Sequence, residues 1–567
     1  MSFRSWSGGQ LFACSGLDDE VLISKDIPGI LCADLMGVRL YAKRPHLLWM
    51  GRPLHTHPVV DGLGGDFFTL SDQGEQMAMV YLQSALIGGK TIRGGDICLA
   101  VEGAKPALCE GVAVYDLREG NYPTLNGNFS AFIQEGERFA LAFGDTAREA
   151  IALAKRGLTA DLEEEIQARK ARMAAIARPA SDPYADLYEK CASTMRTQIY
   201  SPEGKIRHRW STPDRLPHRK MWFWDSVFHA VGWRNLDPAL AEELLLAMVD
   251  IQTADGRFPL DATPTACAPE ATQPPLLAWG ALKVYEQTGN QAFLKQIYTA
   301  NSRHLDWIEA SRRYTELPLY SWQTEDNHLC RCGESGMDNS PRFDTEHPLF
   351  AIDYTCFVAS ECCRMAEIAE ILNLPKDKEV YLSRFAAIKD AVDQYLWCEE
   401  DGFYYDWDRK EQTHHKVRAV SSFLPLFAGL CNKEQATALL CCLQDPTDFA
   451  AEFPIPSISK RDATYGSDMW RGPVWINYNY MIAEGLEKNG FSAEAESLRR
   501  RTVEVLNQWF KVYGTVFEFY DCENQTPPPK LYRKGEALEP YDFFNRLQAI
   551  RDYGWSNTLL LDLLSRK

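Results

Sequence analysis

The first 145 residues show hydrophobic and polar positions that alternate in short runs bounded by turn-forming residues. Runs such as GVRLYAK, QMAMVYLQ and RFALAFG have the period of two that is typical of strands buried on one face. A series of such runs at close intervals predicts an antiparallel β-sandwich domain over residues 1–145.

From residue 146 to residue 180 the pattern changes to Ala, Glu, Lys, Arg and Leu, as in AREAIALAKRGLTADLEEEIQARKARMAAIA. These residues are strong helix formers, and charged positions fall between apolar ones. The segment is therefore predicted to be a helical linker made of one helix or a pair.

Residues 181–567 contain about twelve segments with helical period. Proline follows Asp237 and Gly472, where an opening turn tolerates its missing N–H, and Gly289 and Gly490 follow the last turn of two other segments. Helices in consecutive antiparallel pairs predict a mainly α protein whose large domain is an (α/α)6 barrel, or six-hairpin toroid. A helical solenoid is the structural alternative, although no repeat of fixed period occurs.

Composition and charge narrow the range of partners. The chain has 567 residues, 46% of them hydrophobic and 24% charged, which is enough for two globular domains. The formal net charge of −18 repels phosphate groups and no basic stripe offsets it, so neither nucleic acid nor an anionic membrane is expected as a partner. A small uncharged ligand is easier to accommodate, and homo-oligomerisation is left open.

The N-terminus lacks an apolar segment of signal-peptide length, and no run of 18 apolar residues occurs anywhere. The sixteen cysteines are scattered, and some are adjacent, as are Cys362 and Cys363, which favours reduced thiols over disulfides. These features predict a soluble cytoplasmic protein.

Two short motifs contain residue types that bind metals. Cys330 and Cys332 form a C-x-C motif without a second pair at zinc-like spacing, and His55 and His57 form an H-x-H motif without an obvious third ligand. Structural roles are the simpler interpretation, so neither a metal nor an organic cofactor is predicted.

The segment of residues 334–342, ESGMDNSPR, is the strongest candidate for chemistry. Glycine and proline impose a tight path on it, and Asp338 is flanked by groups that can hydrogen-bond a sugar hydroxyl. Asp-Asn-Ser-Pro is also a good turn sequence, and aspartates in turns greatly outnumber catalytic ones, so a purely structural role is the alternative.

Several predicted helices open with indoles next to polar side chains. An aromatic plate beside a hydrogen-bonding group is the pairing that holds a sugar, although helix capping and core packing explain the same residues. The residues singled out in these openings are Trp224, Asp225, Trp470, Arg471, Trp475, Asn477 and Trp555. Gln273 is added because it stands before two prolines that predict a helix start, from which its side chain would project.

Glu518 is a carboxylate in the apolar stretch Thr515–Asp521. Desolvation in such surroundings tunes the protonation of a carboxyl group, which is useful for acid/base catalysis. An ion pair with a nearby arginine is the structural alternative.

Six motifs in this order resemble glycoside hydrolase family 63 and the related mannosylglycerate and glucosylglycerate hydrolases. They are W-x-W-D-S-x-F, T-Q-P-P, S-G-x-D-N-S-P, W-R-G-P-V-W-x-N-x-N, E-x-Y and G-W-S-N, and they cover residues 183–567. The trehalases of family 37 are similar more distantly.

The resemblance implies an (α/α)6 catalytic barrel that hydrolyses an α-glycosidic bond with inversion, using Asp338 as general acid and Glu518 as general base. It also implies sugar contacts through Trp224, Asp225, Gln273 and Trp475. Further substrate contacts are expected from Asn339, Arg342, Trp470, Arg471, Asn477 and Trp555.

The expected activity is that of an exo-acting, α-glucosidase-like enzyme whose substrate is a disaccharide, a short oligosaccharide or a glycosylated small molecule. Two alternatives stay open. One is a carbohydrate-binding protein without catalysis, and the other is an epimerase or lyase on the same toroid, which would use His or Tyr as proton carrier.

Overall fold

The computed structural model describes residues 10–11, 14–17, 22, 29–31, 37–41, 45–50, 59–72, 74–93, 95, 97–101, 103–118, 127–215, 218–535 and 548–566. The H-x-H motif of His55 and His57 lies outside these residues. The chain divides into two compact units, the first made of Met1–Glu203 and Asn507–Val516, the second of Gly204–Leu506 and Phe517–Lys567.

The first unit is rich in strands, as the alternating pattern predicts. Its described strands are β1 (Gln10–Leu11), β2 (Gly29–Leu31), β3 (Gly37–Tyr41), β4 (Pro45–Met50), β5 (Val59–Leu63), β6 (Phe67–Asp72), β7 (Glu75–Gln83), β8 (Leu86–Lys90), β9 (Ile97–Val101), β10 (Ala107–Cys109), β11 (Val112–Asp116), β12 (Phe129–Glu135), β13 (Arg138–Gly144) and the short β14 (Ile199–Tyr200).

Strands β1 to β13 form two antiparallel sheets, one in the order β1-β2-β3-β4-β9 and one in the order β10-β11-β12-β13-β8-β7-β6-β5. A hydrophobic core joins them, because Leu99 of β9 belongs to the same buried cluster as Met79 of β7 and Phe139 of β13. Successive side chains of a strand point to opposite faces of its sheet, so the alternating apolar residues of each strand all face this core.

Three helices complete the described part of this unit: α1 (Ala147–Thr159), α2 (Leu162–Ile176) and α3 (Ala185–Thr197). Thr146 caps α1 in a capping box with Glu149, and Asp161 caps α2. Helix α1 packs its apolar face on β12 and β13. The segment predicted as a linker therefore contains two helices in the same compact unit as the sheets.

The second unit is mainly helical. Its helices within the described residues are α4 (Phe223–Trp233), α5 (Pro238–Asp250), α6 (Leu277–Thr288), α7 (Gln291–Ser311), α8 (Ile352–Ile371), α9 (Pro375–Ala391), α10 (Leu424–Ala428), α11 (Lys433–Gln444), α12 (Ile476–Lys488), α13 (Ser492–Tyr513, whose end belongs to the first unit) and α14 (Gly554–Ser565).

Short strands lie in the connections between these helices. They are β15 (Trp210–Ser211), β16 (Met221–Trp222), β17 (Asp261–Ala262), β18 (Leu349–Phe350), β19 (Trp397–Cys398), β20 (Phe403–Tyr404), β21 (Asp406–Asp408) and β22 (Thr413–His415).

Six helices contact one another in a closed cycle: α4 contacts α6, and α8, α10, α12 and α14 follow in turn until α14 contacts α4 again. Helix α4 is buried over its whole length, whereas α9, outside the cycle, buries only Tyr381, Ile388 and Ala391 of its seventeen residues. This difference follows from the sequence, because α4 is apolar apart from Asp225, Ser226 and His229, whereas α9 carries charged residues on most sides.

Local signals set several helix ends. The Asp237 side chain accepts a hydrogen bond from Leu240 N and Pro238 occupies the first turn of α5, while Gly289 ends α6 with a positive φ of 60°. None of the helices within the described ranges combines the length and the apolar character needed to cross a membrane.

Candidate active site

A cavity of about 220 Å³ opens in the second unit where several helices begin. Trp222 and Trp475 occupy the positions just before the first residues of α4 and α12, and Trp555 is the second residue of α14. The cavity is lined by Pro213, His218, Trp222, Trp224, Asp225, Leu260, Gln273, Glu325, Cys330, Gly333, Gly336, Asp338, Met469, Trp475, Glu518, Arg533, Lys534, Tyr553 and Trp555.

Asp338 lies in the cavity wall, on the segment that follows a 3-10 turn at Gly333–Ser335. Its carbonyl oxygen accepts a hydrogen bond of 2.9 Å from Arg331 N, which holds the segment in place. The side chain is 19% exposed and forms an ion pair with Lys534, whose side chain is 20% exposed. The carboxyl group of Asp338 is therefore reachable from the cavity and has a cation beside it.

A buried glutamate fixes the start of this segment. Glu334 accepts hydrogen bonds from Arg312 Nη2 at 2.6 Å, Thr272 N at 2.9 Å and Gln323 N at 2.7 Å. Gly336 then turns the chain with a φ of 72°, and a Cβ atom there would lie 2.3 Å from Trp224 Cζ2. The position of Asp338 at the cavity thus depends on the buried contacts of Glu334 and on the close approach of the Gly336 backbone to Trp224.

Glu518 lies in the same cavity with its side chain only 1% exposed. Arg533 donates to it from Nε at 2.8 Å and from Nη2 at 3.2 Å, and Ile550 N donates to Oε2 at 3.3 Å. Burial lowers the pKa of Arg533, but the charge and hydrogen bonds of Glu518 outweigh it and raise that pKa overall. The ion pair expected as the structural alternative is present, and it lies in the cavity wall.

Asp225, in the first turn of α4, is another buried carboxyl group that lines the cavity. Burial raises its pKa well above the usual range, and the negative charges of Asp214 and Glu518 act in the same direction. Among the described residues, no partner hydrogen-bonds its Oδ1 atom. Such an atom is suited to a hydrogen bond with a ligand.

Indole rings form the apolar part of the cavity. The Trp555 ring meets the Trp224 ring edge to face, with 5.1 Å between the ring centroids, and it lies tilted against the Trp475 ring at 5.7 Å. The Trp470 ring stacks on the Trp475 ring at 3.9 Å. Trp475 Nε1 donates to Met469 O, which fixes the ring. Rigid aromatic faces next to carboxyl groups match the apolar C–H faces and the hydroxyls of a pyranose.

Gln273 lines the cavity from the extended segment before α6, which begins only at Leu277. Its Oε1 atom accepts a hydrogen bond of 3.2 Å from Trp224 N, one of the free N–H groups at the start of α4. The side chain therefore helps to cap a second helix, which the sequence pattern did not indicate.

Five residues expected to contact substrate do not belong to the cavity lining. Arg342 is buried between Asp353, at 2.6 and 2.9 Å, and Asp406, at 2.8 Å from both Nε and Nη2. Two carboxylates from β21 and α8 thus use up its guanidinium group. Arg471 pairs with Asp344 at 2.7 Å.

The other three residues, Asn339, Trp470 and Asn477, make contacts behind the cavity lining. Asn339 Oδ1 accepts a hydrogen bond of 3.1 Å from Trp470 N, and Asn477 Oδ1 accepts one of 3.0 Å from Tyr478 N. Trp470 itself is covered by the Trp475 ring. Their short sequence distance to Asp338 and Trp475 made them candidates, but their side chains point into the protein.

The cavity also contains polar residues that the sequence analysis did not single out, namely His218, Glu325, Arg533, Lys534 and Tyr553. Arg533 and Lys534 follow the proline-rich QTPPPK loop, and that position was the available signal. In the described part of the chain, no three side chains of His, Cys, Asp or Glu are grouped to hold a metal ion.

Residues 218–556 match the family model of the "Mannosylglycerate hydrolase MGH1-like glycoside hydrolase domain". The chain is 24% identical over 391 residues to a mannosylglycerate hydrolase of Rubrobacter radiotolerans, covering 52% of this chain and 85% of that protein. It is also 25% identical over 259 residues to an uncharacterised protein of Borreliella burgdorferi, and it spans about half, 52%, of that relative's length and 45% of its own.

Among solved structures, the GH63 mannosylglycerate hydrolase from Thermus thermophilus in complex with Tris is similar with a TM-score of 0.55 and 20% identity. The match covers 67% of this chain and 100% of that chain. At this identity the likeness concerns the fold.

Proposed function

The chain belongs to the mannosylglycerate hydrolase MGH1-like family of glycoside hydrolases, within GH63, and from this we propose that it hydrolyses an α-glycosidic bond with inversion of configuration. Two residues carry the chemistry, Asp338 as general acid and Glu518 as general base. The supporting observation is that both carboxyl groups, far apart in the sequence, line one cavity together with indole rings.

We place this chemistry on an (α/α)6 barrel formed by residues 181–567. The closed cycle of α4, α6, α8, α10, α12 and α14, with less buried helices outside it, supports that architecture. A β-sandwich domain of residues 1–145 and a linker of residues 146–180 precede the barrel in this proposal.

In the reaction, Asp338 gives a proton to the glycosidic oxygen as the bond to the anomeric carbon breaks, and Glu518 takes a proton from the water that attacks from the opposite face. Inversion follows from attack on that face, and it needs a separation of ~6.5–9.5 Å between the two carboxyl groups to admit the water. No metal or organic cofactor takes part.

The two cations give the carboxyl groups different roles. Arg533, buried and bound through two nitrogens, holds the carboxyl group of Glu518 in place as the proton acceptor. Lys534 is partly exposed and flexible, and an ammonium group pairs with a carboxylate rather than with a carboxylic acid. Lys534 therefore moves away from Asp338 when Asp338 takes up the proton that it later donates.

Asp225 and Gln273 hold hydroxyls of the reacting sugar, and Trp224, Trp475 and Trp555 cover its apolar faces. The small cavity favours release of a terminal sugar from a disaccharide, a short oligosaccharide or a glycosylated small molecule. Neither Arg342 nor Arg471 is available for an acidic aglycone, because each already pairs with carboxylates.

We also propose a cytoplasmic location, which the state of the cysteines supports. Every cysteine in the described part of the second unit is a free thiol. Reducing compartments maintain proteins in that state.

The test is a screen of α-linked disaccharides and glycosylglycerates with the wild type, D338N and E518Q, with the released anomer followed by NMR. Each variant is expected to lose at least ~10²-fold in rate while still binding sugar, the scale typical of a lost acid or base. D326N, on an exposed residue near the same segment, is the matched control and should keep the wild-type rate.

Three outcomes contradict the proposal in different ways. Unchanged turnover in D338N or E518Q removes that residue from its role, and release of the retained anomer rejects direct attack by water. Isomerisation without a new reducing end indicates an epimerase instead.

A further inference from the structure

One titratable group of the cavity has no part in the mechanism above. His218 lines the cavity and is paired with Asp214, whose side chain is fully buried. Asp214 Oδ2 lies 2.6 Å from His218 Nδ1, and Asp214 Oδ1 accepts a hydrogen bond of 2.8 Å from the backbone N–H of His218. One carboxylate thus holds both the backbone and the ring of the same histidine.

This pairing determines which ring nitrogen carries the proton. An ionised carboxylate can only accept hydrogen bonds, so Nδ1 must be the N–H that faces Asp214. In a neutral imidazole the other nitrogen, Nε2, then has a lone pair and can only accept. Nε2 of His218 hydrogen-bonds none of the described residues, and the ring borders the cavity.

Neighbouring rings hold the imidazole in place. The His218 ring meets Trp222 edge to face at 5.7 Å and Tyr553 at 6.3 Å, with interplanar angles of 89° and 90°. Both neighbours also line the cavity. The acceptor at Nε2 therefore has a defined direction, which a hydroxyl-binding site requires.

We propose that His218 determines sugar specificity by accepting a hydrogen bond at Nε2 from one hydroxyl of the substrate, and that Asp214 is the positioning residue that sets the tautomer. The inference rests on the proposed hydrolase function, since it concerns the same cavity. It identifies the substrate as one that presents an O–H donor at this wall, in addition to the groups that face Asp225.

The protein contains a natural control for this pair. His208 and Asp250 make similar contacts, with 2.8 Å between Nδ1 and Oδ2 and 3.1 Å between His208 N and Oδ2, and the Asp250 side chain is likewise buried, although it also pairs with Arg207. Neither residue lines the cavity. Position in the cavity, not pairing with an aspartate, is what distinguishes His218.

The first experiment measures kcat/KM at pH 8, where free imidazole is neutral, on α-glycosides with single hydroxyls replaced by hydrogen or fluorine. The wild type should lose about tenfold or more at one hydroxyl position, for either replacement, because neither can donate to Nε2. H218F should lose this added discrimination and retain only the inductive effect of each replacement on the reacting sugar. H208F should keep the wild-type discrimination.

The second experiment uses D214N, which keeps the shape of the side chain. The backbone N–H of His218 selects the amide oxygen of the new side chain, so the amide NH₂ faces Nδ1 and the ring proton moves to Nε2. His218 then becomes a donor, and the ratio of the fluoro rate to the deoxy rate should be several-fold higher in D214N than in the wild type, a comparison in which the inductive effect of fluorine on the reacting sugar cancels. D250N serves as control and should keep the wild-type ratio. This readout remains informative if H218F fails to fold.

A purely structural role predicts a different result, namely an equal loss on all analogues in H218F and D214N, and that result overturns the inference. If the wild type hydrolyses no α-glycoside, the hydrolase proposal fails, and calorimetry decides the inference separately. D-glucose, D-mannose and their monodeoxy analogues are then titrated into wild type and H218F. Discrimination that depends on His218 supports the inference without hydrolysis, and absence of discrimination or of binding rejects it.

Discussion

Arg533 and Lys534 are neighbours in the chain, yet each serves a different carboxyl group of the cavity. The planar guanidinium of Arg533 makes a rigid two-nitrogen contact with Glu518, whereas the Lys534 ammonium is a single mobile charge next to Asp338. Lys534 has a positive φ of 60°, and its N–H donates to Asp468 at 2.8 Å, which turns the two side chains in different directions. At the scale of single residues, the two carboxyl groups thus differ in the kind of cation beside them, which is the basis of the acid and base roles proposed for them.

The contact between Arg533 and Glu518 leads to a prediction for R533K. Lysine keeps the positive charge but cannot contact both carboxyl oxygens of Glu518 through two fixed nitrogens, so Glu518 should be held less rigidly. We therefore expect kcat to fall about tenfold or more, with little change in KM. Steady-state kinetics on the best substrate measures this.

R418K is the matched control, because Arg418 makes a similar fork with the buried Asp448 outside the cavity. It should lower the free energy of unfolding by about 1–3 kcal/mol and leave kcat unchanged. Equal losses of kcat in both variants would assign Arg533 to stability alone.

At the scale of elements, the segment with Asp338 meets α4 at one point of very close approach. The Cβ of an alanine at position 336 would lie 2.3 Å from Trp224 Cζ2, and its φ of 72° is unfavourable for any residue with a side chain. Trp224 is buried and its ring packs on Phe228 and Trp555, so it cannot yield easily. Helix α4 and the segment can therefore pack this closely only because Gly336 has no side chain.

G336A should consequently displace either Trp224 or Asp338. We expect a loss of at least about tenfold in kcat/KM and a drop of about 1–3 kcal/mol in the free energy of unfolding, the scale of overpacking in a core. Activity assays and urea unfolding measure the two effects.

The matched control is G289A, because Gly289 has a similar φ of 60° with no atom within 4 Å of an added Cβ. It should lose about 1 kcal/mol of stability from backbone strain, with unchanged activity. If G336A behaves like G289A, the contact with Trp224 has no role in catalysis.

For the whole molecule, the sequence indicates which residues form the cavity better than it indicates which side chains contact one another. The motifs around Trp224, Asp338, Trp475 and Glu518 carry local patterns of indoles, prolines and carboxylates, and the fold brings these residues to one cavity. The helical period beyond residue 181 and the strand period before residue 145 likewise appear in the fold as a helical unit and a β-rich unit.

Pairings between distant residues could not be deduced in the same way. Arg342 stands next to the Asp338 motif, but its partners Asp353 and Asp406 come from two other elements, and nothing in the sequence links them. His218 similarly depends on Asp214, four residues earlier, although residues 213–215 and 218–219 are not helical, so helical spacing does not explain the contact. Side-chain partners across the fold follow from the tertiary structure, which local periodicity does not encode.

Two buried histidines contribute to how the folded protein responds to acid. Burial and the positive charges of Arg257 and Arg312 lower the pKa of His304 to about 3, and burial alone lowers that of His229 to about 3. An unfolded histidine takes up a proton near pH 6.5, whereas the folded ones stay neutral down to about pH 3. Their contribution to stability is therefore complete above pH 6.5 and is lost as the pH falls towards 3.

H304Q should reduce this acid sensitivity. Between pH 6.5 and 4.5 the free energy of unfolding of the wild type should fall by about 2 kcal/mol more than that of H304Q, because one proton fewer binds on unfolding. Urea unfolding at several pH values measures the slopes. H328Q, on an exposed histidine, should follow the wild type, and identical slopes in all three proteins would contradict the argument.

The indole cluster at the cavity has a practical consequence. The ring of Trp555 lies 5.1 Å from that of Trp224 and 5.7 Å from that of Trp475, and Trp470 stacks on Trp475. Their ultraviolet absorption and emission respond to the medium around the rings, and a bound sugar replaces water at their faces. Occupancy can thus be followed by intrinsic fluorescence or near-ultraviolet circular dichroism, so unlabelled carbohydrates can be screened directly on the intact protein.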